Sequence, residues 1–296
     1  MRRLLSVALV LLVSVAFTGC QKDGVFNPKN KISKVYKAEK GNKVLWEKWT
    51  WDGNSLNNIA YFVNDTTMLQ KAYYLYEKKR LARVENTIDL SYVLITYSGS
   101  QYEKVEFFNK YDGKLRTYVY TYDGKKVSKI VLTVYKYPLK SMDAGDDGFL
   151  SAFIPREILE ETNRQILNSA PLKDNEDKVY TYELKFDGDN LSEWKITDNN
   201  DPNKPVEATF QYEKYDKNNN PHYASYSNIY GVNIAEPCFY KNNPERVTCT
   251  KIDNTTTTIT YDYYYKYNDK KFPTEAIQKL TQETATFSDT LYYEYN

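Results

Sequence analysis

The feature that most constrains this chain is a short segment that repeats along it. In each copy an aromatic residue is followed by a turn, by an apolar residue five positions later, and by another apolar residue eight positions later. Asp-Gly between alternating segments is a strong hairpin signal, so each copy predicts a strand, a tight turn and a second strand. The aromatic residue of the copies is Trp51, Tyr76, Tyr97, Tyr122 or Phe186.

Side chains alternate with a period of two around these turns, as they do in strands with one covered face. Tyr180 and Tyr182 fall on one face, whereas Thr181 and Glu183 fall on the other. We therefore predict an all-β fold over residues 35–296: an antiparallel β-meander of repeated hairpins in a single-layer or strongly curled sheet. A two-sheet sandwich is the alternative. An integral outer-membrane barrel is disfavoured because an outward apolar band is missing.

One insertion, at about residues 138–178, interrupts the repeats. Within it, Pro155 suits the first position of a helix, and three glutamates follow in the first turns. An apolar stripe at helical spacing predicts one helix near residues 152–168 that packs on the sheet. The stripe consists of Ile154, Ile158, Leu159 and Ile166.

The N-terminus is typical of an export signal. Arg2 and Arg3 precede an apolar run that is too short for a membrane span of roughly 20 residues. The segment from Phe17 to Cys20 reads Phe-Thr-Gly-Cys and resembles the lipobox of bacterial lipoproteins, whose cysteine carries a diacylglycerol. This predicts a signal peptide over residues 1–19, followed by lipidated Cys20 and a tether over residues 20–34.

The residues after the lipobox bear on location. Gln21 stands where enterobacterial lipoproteins retained at the inner membrane have aspartate. The segment Cys20-Gln-Lys-Asp resembles the export tag of Bacteroidota surface lipoproteins. The resemblance implies an outer-membrane protein, anchored by lipid and facing the cell surface. A protein facing the periplasm is the alternative.

The repeat itself resembles the YD repeats of bacterial cell-surface proteins. Over residues 45–296 its arrangement is similar to that of Bacteroidota lipoproteins of unknown function built from such units. Asn-Pro and related turns at residues 215–221, 241–247 and 267–273 add to this resemblance. It implies an exported, sheet-rich lipoprotein and carries over no catalytic residue.

Composition narrows the classes of function. The chain has 40 basic and 39 acidic residues, and this balance argues against a nucleic-acid partner bound by bulk charge. The one histidine, His222, is expected in a surface turn, and neither a P-loop nor a dinucleotide motif is present. Residues 143–148 form an acidic stretch that lacks calcium-loop spacing. We therefore expect no cofactor, no metal and no enzymatic activity.

The tyrosines suggest a function. The chain has 30 of them, and a ring with a polar hydroxyl suits a half-exposed surface. We predict a non-catalytic envelope protein that binds a glycan or protein partner through a tyrosine-rich sheet face. A purely structural envelope protein and a carboxylate-dependent glycan hydrolase are the alternatives. The candidate binding residues are Tyr180, Tyr182, Tyr261, Tyr263, Tyr265 and Tyr267.

Two covalent features are expected beyond the anchor. Cys238 and Cys249 remain as an even pair in an exported protein, which predicts a disulfide, with two buried thiols as the alternative. The triplets that contain Thr66 and Thr290, Asp-Thr-Thr and Asp-Thr-Leu, resemble the O-glycosylation signal of Bacteroidota. The resemblance implies glycans at these two threonines.

Lipidation is the first testable prediction. Cys20→Ala, expressed in a Bacteroidota host, should no longer incorporate labelled fatty acid and should leave the membrane fraction. The reason is that the cysteine thiol is the only acyl acceptor in the lipobox. Fatty-acid labelling and membrane fractionation measure both effects, and unchanged labelling of the variant would contradict the lipoprotein assignment.

Overall fold

Sixteen antiparallel strands form one closed β-barrel in the computed structural model of the chain. The structure describes residues 28, 30–87, 90–111, 113–135, 177–200, 206–223, 240–252, 256–283 and 285–296. Each strand pairs with its neighbours in sequence, and β1 pairs with β16 to close the barrel. The strands are β1 (Ile32–Glu39), β2 (Asn42–Asp52), β3 (Ser55–Phe62), β4 (Met68–Glu77), β5 (Arg80–Asn86), β6 (Tyr92–Ser98), β7 (Gln101–Phe108), β8 (Lys114–Asp123), β9 (Lys126–Val134), β10 (Lys178–Asp187), β11 (Asn190–Asp198), β12 (Val206–Tyr215), β13 (Pro244–Ile252), β14 (Thr256–Tyr267), β15 (Pro273–Gln282) and β16 (Ala285–Tyr295).

The predicted all-β meander is confirmed, and its curled sheet closes on itself. The sandwich alternative is wrong, because one continuous sheet contains all the described strands. The predicted helix near 152–168 lies outside the described residues, as does the insertion apart from its last two positions. The described part of the chain contains no helix that is long and apolar enough to cross a membrane.

The barrel has two ends that differ in their connections. The repeat-turn end carries the tight turns of the sequence repeats, at residues 53–54, 78–79, 99–100, 124–125 and 188–189. Ile32 and Tyr295, at the two ends of the barrel chain, also pair there. The β12–β13 and β14–β15 connections lie at the same end, and the opposite end carries the connections that follow odd-numbered strands, including residues 63–67 and 109–113. The chain therefore enters and leaves the barrel at the repeat-turn end.

A β-bulge in every repeat explains the unusual spacing of its apolar residues. Positions five and eight after the aromatic residue are three apart, so in a regular strand they would face opposite sides. In β3, however, Trp51 pairs with Leu56 and Thr50 with Asn58, so Asn57 is the extra residue of a bulge. Leu56 and Ile59 consequently share the buried face. The equivalent bulge residues are Ala82, Glu103, Ser128 and Ser192.

The two faces of the sheet differ sharply in polarity. Every strand contributes to one buried apolar cluster on the lumen face. The outer wall instead carries cross-strand ion pairs, for example Lys185–Glu193 at 2.7 Å and Arg246–Asp262 at 2.6 Å. Such pairs are typical of a solvated face. The Lys, Glu and Thr side chains of the alternating strands therefore lie on the outer wall.

Large side chains on the lumen face are buried. Barrels of sixteen or more strands are wide enough to leave an aqueous channel. Here, Tyr61, Tyr118 and Tyr261 are at most 1% exposed, although all three lie on the lumen face. Aromatic pairs such as Tyr182–Trp194, with ring centroids 5.6 Å apart, contribute to this packing.

Hydrogen bonds from aromatic side chains connect neighbouring hairpins at the repeat-turn end. The hydroxyl of Tyr97, beside one turn, donates to the carbonyl oxygen of Leu81, which follows the preceding turn, at 2.9 Å. The hydroxyls of Tyr76 and Tyr122 lie beside the backbone of Leu56 and Tyr102, which follow the preceding turns in the same way. Burial raises the pKa of both hydroxyls, and the backbone hydrogen bonds partly offset this rise. The same contact recurs at 2.6–2.7 Å from Trp51 to Ile32, Tyr215 to Leu191, Tyr265 to Pro244 and Tyr295 to Pro273.

A second set of bonds runs in the other direction around the same end. The carbonyl oxygen of each turn glycine accepts a hydrogen bond from a side chain of the preceding hairpin. Gln101 Nε2 donates to Gly124 at 2.8 Å, and Arg80 donates to Gly99. Lys31 to Gly53 and Lys126 to Gly188 repeat the contact. These hairpins are therefore tied to their neighbours on both sides.

The long β12–β13 connection contributes a polar network to this end. Asp216 accepts hydrogen bonds from the backbone N–H groups of Asn218 and Asn243 and from the hydroxyl of Tyr267. Asn219 donates from its backbone to the carbonyl oxygen of Lys271, in the β14–β15 turn. The Asn-rich turns of the sequence thus form hydrogen bonds with one another and with the neighbouring hairpin.

The aromatic contacts between hairpins generate a stability prediction. Tyr97→Phe keeps the ring but removes the hydroxyl that donates to the Leu81 carbonyl, so the free energy of unfolding should fall by about 1 kcal/mol. Tyr264→Phe is the matched control, because this side chain is 55% exposed on the outer wall. Urea denaturation measures both variants. Equal stabilities for the two would contradict a stabilising role of the contact.

Candidate functional site

Exposed apolar side chains are concentrated at the opposite end of the barrel. Six large hydrophobic residues, between 45% and 74% exposed, lie in or beside its connections. Four others lie on the outer wall, and none lies in the described turns of the repeat-turn end. Several large apolar side chains exposed at one end of a domain make that end a candidate interaction site. We call this set of residues the apolar rim: Val63, Met68, Leu90, Tyr111, Ile252 and Phe287.

Asparagine side chains hold two loops of the apolar rim in fixed conformations. Asn64 Oδ1 accepts hydrogen bonds from the backbone N–H groups of Thr66 and Thr67, at 3.1 and 2.9 Å. Asn109 Oδ1 accepts from those of Tyr111 and Gly113, both at 2.9 Å. Such local side-chain bonds mimic a backbone turn. Met68 and Tyr111 are therefore presented from ordered loops.

The tyrosine rows predicted to form a binding face lie inside the barrel. Tyr180, Tyr182, Tyr261 and Tyr263 are all at most 3% exposed, so they cannot contact a partner at the outer surface. Their placement at a half-exposed binding face is therefore wrong. The alternation that identified the rows is real, but its aromatic face is the lumen and its Lys, Glu and Thr face is the wall.

The other two predicted tyrosines are half-buried near the repeat-turn end. The Tyr265 hydroxyl donates to the Pro244 carbonyl oxygen at 2.7 Å, and that of Tyr267 donates to the Asp216 carboxylate. The Tyr263 and Tyr265 rings stack at 6.4 Å. Burial raises the pKa of Tyr265 and Tyr267. These contacts favour a structural role for the row.

A small group of titratable side chains lies in the lumen. Glu47 accepts a hydrogen bond from Trp49 Nε1 at 2.7 Å, and burial raises the pKa of its carboxyl to about 7 despite this bond. The His222 ring lies edge-on to Trp49 and Tyr293, at 5.8 and 5.9 Å. Burial lowers the pKa of His222 to about 3, so its imidazole is neutral near pH 7. The expectation that His222 lies in a surface turn is wrong.

The remaining predicted residues lie apart from one another. Thr66 is exposed in a loop of the opposite end, whereas Thr290 is half-buried in β16. Cys249 is buried on β13, and Cys238 lies outside the described residues, as do Cys20 and the acidic stretch 143–148. Lipidation, the disulfide and O-glycosylation all stay predictions.

Among the described residues, no group of three or more His, Cys, Asp and Glu side chains could hold a metal ion. Several carboxylates there are already engaged: Glu106 contacts Lys114 at 2.6 Å, and Glu193 contacts Lys185 at 2.7 Å. Glycoside hydrolysis needs two carboxylates about 5–10 Å apart on either side of a bound sugar.

Comparisons with known proteins bear on the fold alone. A porin-like protein from Bacteroides uniformis ATCC 8492 is similar, with a TM-score of 0.52 and 10% sequence identity over 93% of this chain and 100% of that one. A porin-like protein from Bacteroides vulgatus ATCC 8482 gives a TM-score of 0.44 and 11% identity over 90% of this chain and 99% of that one. No family model and no curated protein matches the sequence.

Sequence reasoning missed the apolar rim. Its residues lie in or beside predicted turns, as in Val63-Asn-Asp and Lys110-Tyr111-Asp-Gly. A single apolar residue in a predicted turn is a weak signal. Its meaning here depends on the other rim residues, which lie in other connections of the same end.

Glu47 generates a pH prediction. The unfolded carboxyl ionises above about pH 4.5, whereas the folded one holds its proton to about pH 7. The unfolded state therefore binds fewer protons in this window, and the free energy of unfolding falls as the pH rises, by at most about 3 kcal/mol. Glu47→Gln keeps an acceptor for Trp49 and should be more stable than the natural protein above pH 7, but equally stable near pH 4.

Denaturation of the two proteins across this pH range measures the difference. Since both contain His222, its opposite effect at acidic pH cancels in the comparison. Glu183→Gln, an exposed change on the outer wall, is the control and should not reproduce the gain. A Glu47→Gln protein that is destabilised above pH 7 would contradict the prediction.

Proposed function

We propose that this chain is a non-catalytic lipoprotein of the outer membrane that binds a protein partner through the apolar rim. The observation that carries the proposal is the position of the rim. Large apolar side chains are exposed at the end of the barrel away from the tether, whereas the described turns at the tethered end expose none. Exposed apolar side chains on ordered loops favour contact with another protein surface.

The polarity of the barrel supports attachment by lipid. A membrane-spanning barrel turns an apolar band towards the lipid and a polar face towards its lumen. Here, the ion pairs lie on the outside and the apolar cluster on the inside. Such a wall is suited to water, and two or more acyl chains on Cys20 can hold the domain at a membrane.

The composition of the rim favours a protein over a glycan. Four of its six side chains are aliphatic or thioether groups, which offer no flat ring for a sugar to stack on. A ring is offered only by Tyr111 and Phe287, and the ammonium of Lys110 lies 4.9 Å from the centre of the Tyr111 ring. A glycan ligand is therefore the alternative.

Site-specific photo-crosslinking tests the proposal in the cell envelope. A benzophenone amino acid at Tyr111 or Phe287 should capture one envelope protein. The same group at Tyr264, which is similarly exposed on the wall, should not. Tyr111→Ser combined with Phe287→Ser should weaken binding of that partner by roughly tenfold or more, because exposed aromatics are frequent hot spots.

Leu75→Ser is the matched substitution on the wall and should leave binding unchanged, since Leu75 is 43% exposed outside the rim. Crosslinking from Tyr264 alone would indicate that the partner binds the outer wall and not the apolar rim. If the rim variant loses binding to a glycan and no protein partner is found, the glycan alternative is favoured. No partner from any position would favour the structural one.

A further inference from the structure

We propose that the repeat-turn end rests on an anionic lipid surface, with the lysines of its turns against the lipid phosphates. This rests on the proposed lipid anchor for its setting. The interaction itself belongs to the barrel and is testable without the anchor. Four observations support it: the position of the tether, the charge of the turns, the backbone conformation of two lysines and the rigidity of this end.

The tether reaches the barrel at this end. Eleven residues separate Cys20 from Ile32, the first residue of β1. A fully extended chain of this length spans at most about 40 Å. A lipid on Cys20 would therefore keep the repeat-turn end close to the membrane. The apolar rim would then face away from it.

Charge distinguishes the two ends. The described turns of the repeat-turn end contain the basic residues Lys31, Lys78, Lys79, Lys125, Lys217, Lys241, Lys270 and Lys271. Their acidic residues are Asp189, Asp216 and Asp269, of which Asp216 is occupied by amide and hydroxyl donors. At the opposite end, the described turns contain Lys40 and Lys110 against Asp65, Asp177 and Glu283.

The terminal residues of the strands beside the repeat turns reduce the excess of basic over acidic residues at this end but do not remove it. Asp52, Glu77, Asp123 and Asp187 lie there, together with Arg80 and Lys126. Basic residues still outnumber acidic ones. Lys31, Arg80 and Lys126 donate to turn carbonyls, and Lys241 pairs with Asp189 at 2.9 Å. The basic excess therefore rests on the other turn lysines, which are Lys78, Lys79, Lys125, Lys217, Lys270 and Lys271.

Three of these lysines have a positive φ angle, which is unfavourable for a residue with a side chain: Lys271, at 62°, and the adjacent pair in the β4–β5 turn. Lys78 and Lys79 have φ angles of 49° and 67° at the centre of the β4–β5 turn. Asn-Gly is the preferred pair for a two-residue turn with both φ angles positive. In three other repeats the strand ends at Asp and the first turn residue is Gly. Lysine at both positions is therefore unexplained by turn geometry, and a role for the two charges would account for it.

The end is rigid enough to present its charges together. The turn glycines are held by side chains of neighbouring hairpins, and the aromatic contacts lie directly beneath them. Lysines near an anionic leaflet are each attracted to it, within a Debye length of about 10 Å at moderate salt. An anchored domain stays within that distance, so a weak attraction is enough to orient it.

Vesicle binding by the unacylated mature chain, starting at Gln21, tests the proposal. Sedimentation would compare phosphatidylcholine vesicles with vesicles that also contain phosphatidylglycerol. We expect binding to the anionic vesicles alone, weakening as salt is raised. A variant with Lys78→Asn, Lys79→Gly and Lys125→Gln should bind roughly tenfold more weakly. Its β4–β5 turn becomes the preferred Asn-Gly, so loss of folding is not expected.

The matched control removes the same charge from exposed lysines elsewhere, through Lys48→Gln, Lys129→Gln and Lys279→Gln. It should bind like the natural protein. Equal binding of all three proteins, equal losses in both variants, or no preference for anionic vesicles would overturn the proposal. Absence of fatty acid on Cys20 would instead refute the anchor and leave the vesicle result standing.

Discussion

The structure depends on the hydrogen bond that an aromatic side chain makes to the backbone of the preceding hairpin. A hairpin alone is marginally stable, and a sheet of many strands tends to split or slip unless its register is fixed. The contact from Tyr97 to Leu81 fixes one hairpin against the next, and equivalent contacts recur from Trp51 to Tyr295. Phe186 stands at the same position but has no hydroxyl, so its hairpin relies on ring packing and on Lys126. The contact needs an aromatic ring with a polar tip, which accounts for a tyrosine at most of these positions.

These contacts also separate the residues that stabilise the barrel from those that are available to a partner. Tyrosines that fill the lumen and bind its backbone are not available to a partner, and the ion-paired wall is suited to water. The two ends remain for interaction, and they differ in chemistry: one exposes lysines, the other apolar side chains. With the proposed tether at one end and the proposed binding site at the other, the barrel would act as a spacer whose height is set by strand length. At about 3.3 Å per residue, strands of seven to twelve residues give a body several tens of ångströms tall.

Much of the fold could be predicted from the sequence, because each repeat encodes its own turn, strand direction and buried positions. Leu56 and Ile59 were identified as apolar partners of Trp51, and both are buried. Closure could not be predicted, since it depends on the pairing of Ile32 with Tyr295, two residues that no repeat connects. The side of the sheet that faces inwards was also ambiguous. Alternation assigns Tyr180 and Glu183 to different faces, but only closure decides which face is the lumen. The histidine was misplaced for a related reason, because His222 lies in a long connection that returns to the barrel interior.

The closing pair also has a kinetic consequence. Nearly all contacts in a meander join neighbouring strands, and such local pairings form quickly. The pairing of β1 with β16 joins residues at opposite ends of the barrel chain and must come last. Until then, β1 and β16 are both open sheet edges, and the apolar lumen face lies uncovered. Unpaired edges template association with other chains, so the folding chain is most vulnerable to aggregation just before its final strand pairs. Loss of a few C-terminal residues would therefore harm assembly far more than the small number of contacts they make would suggest.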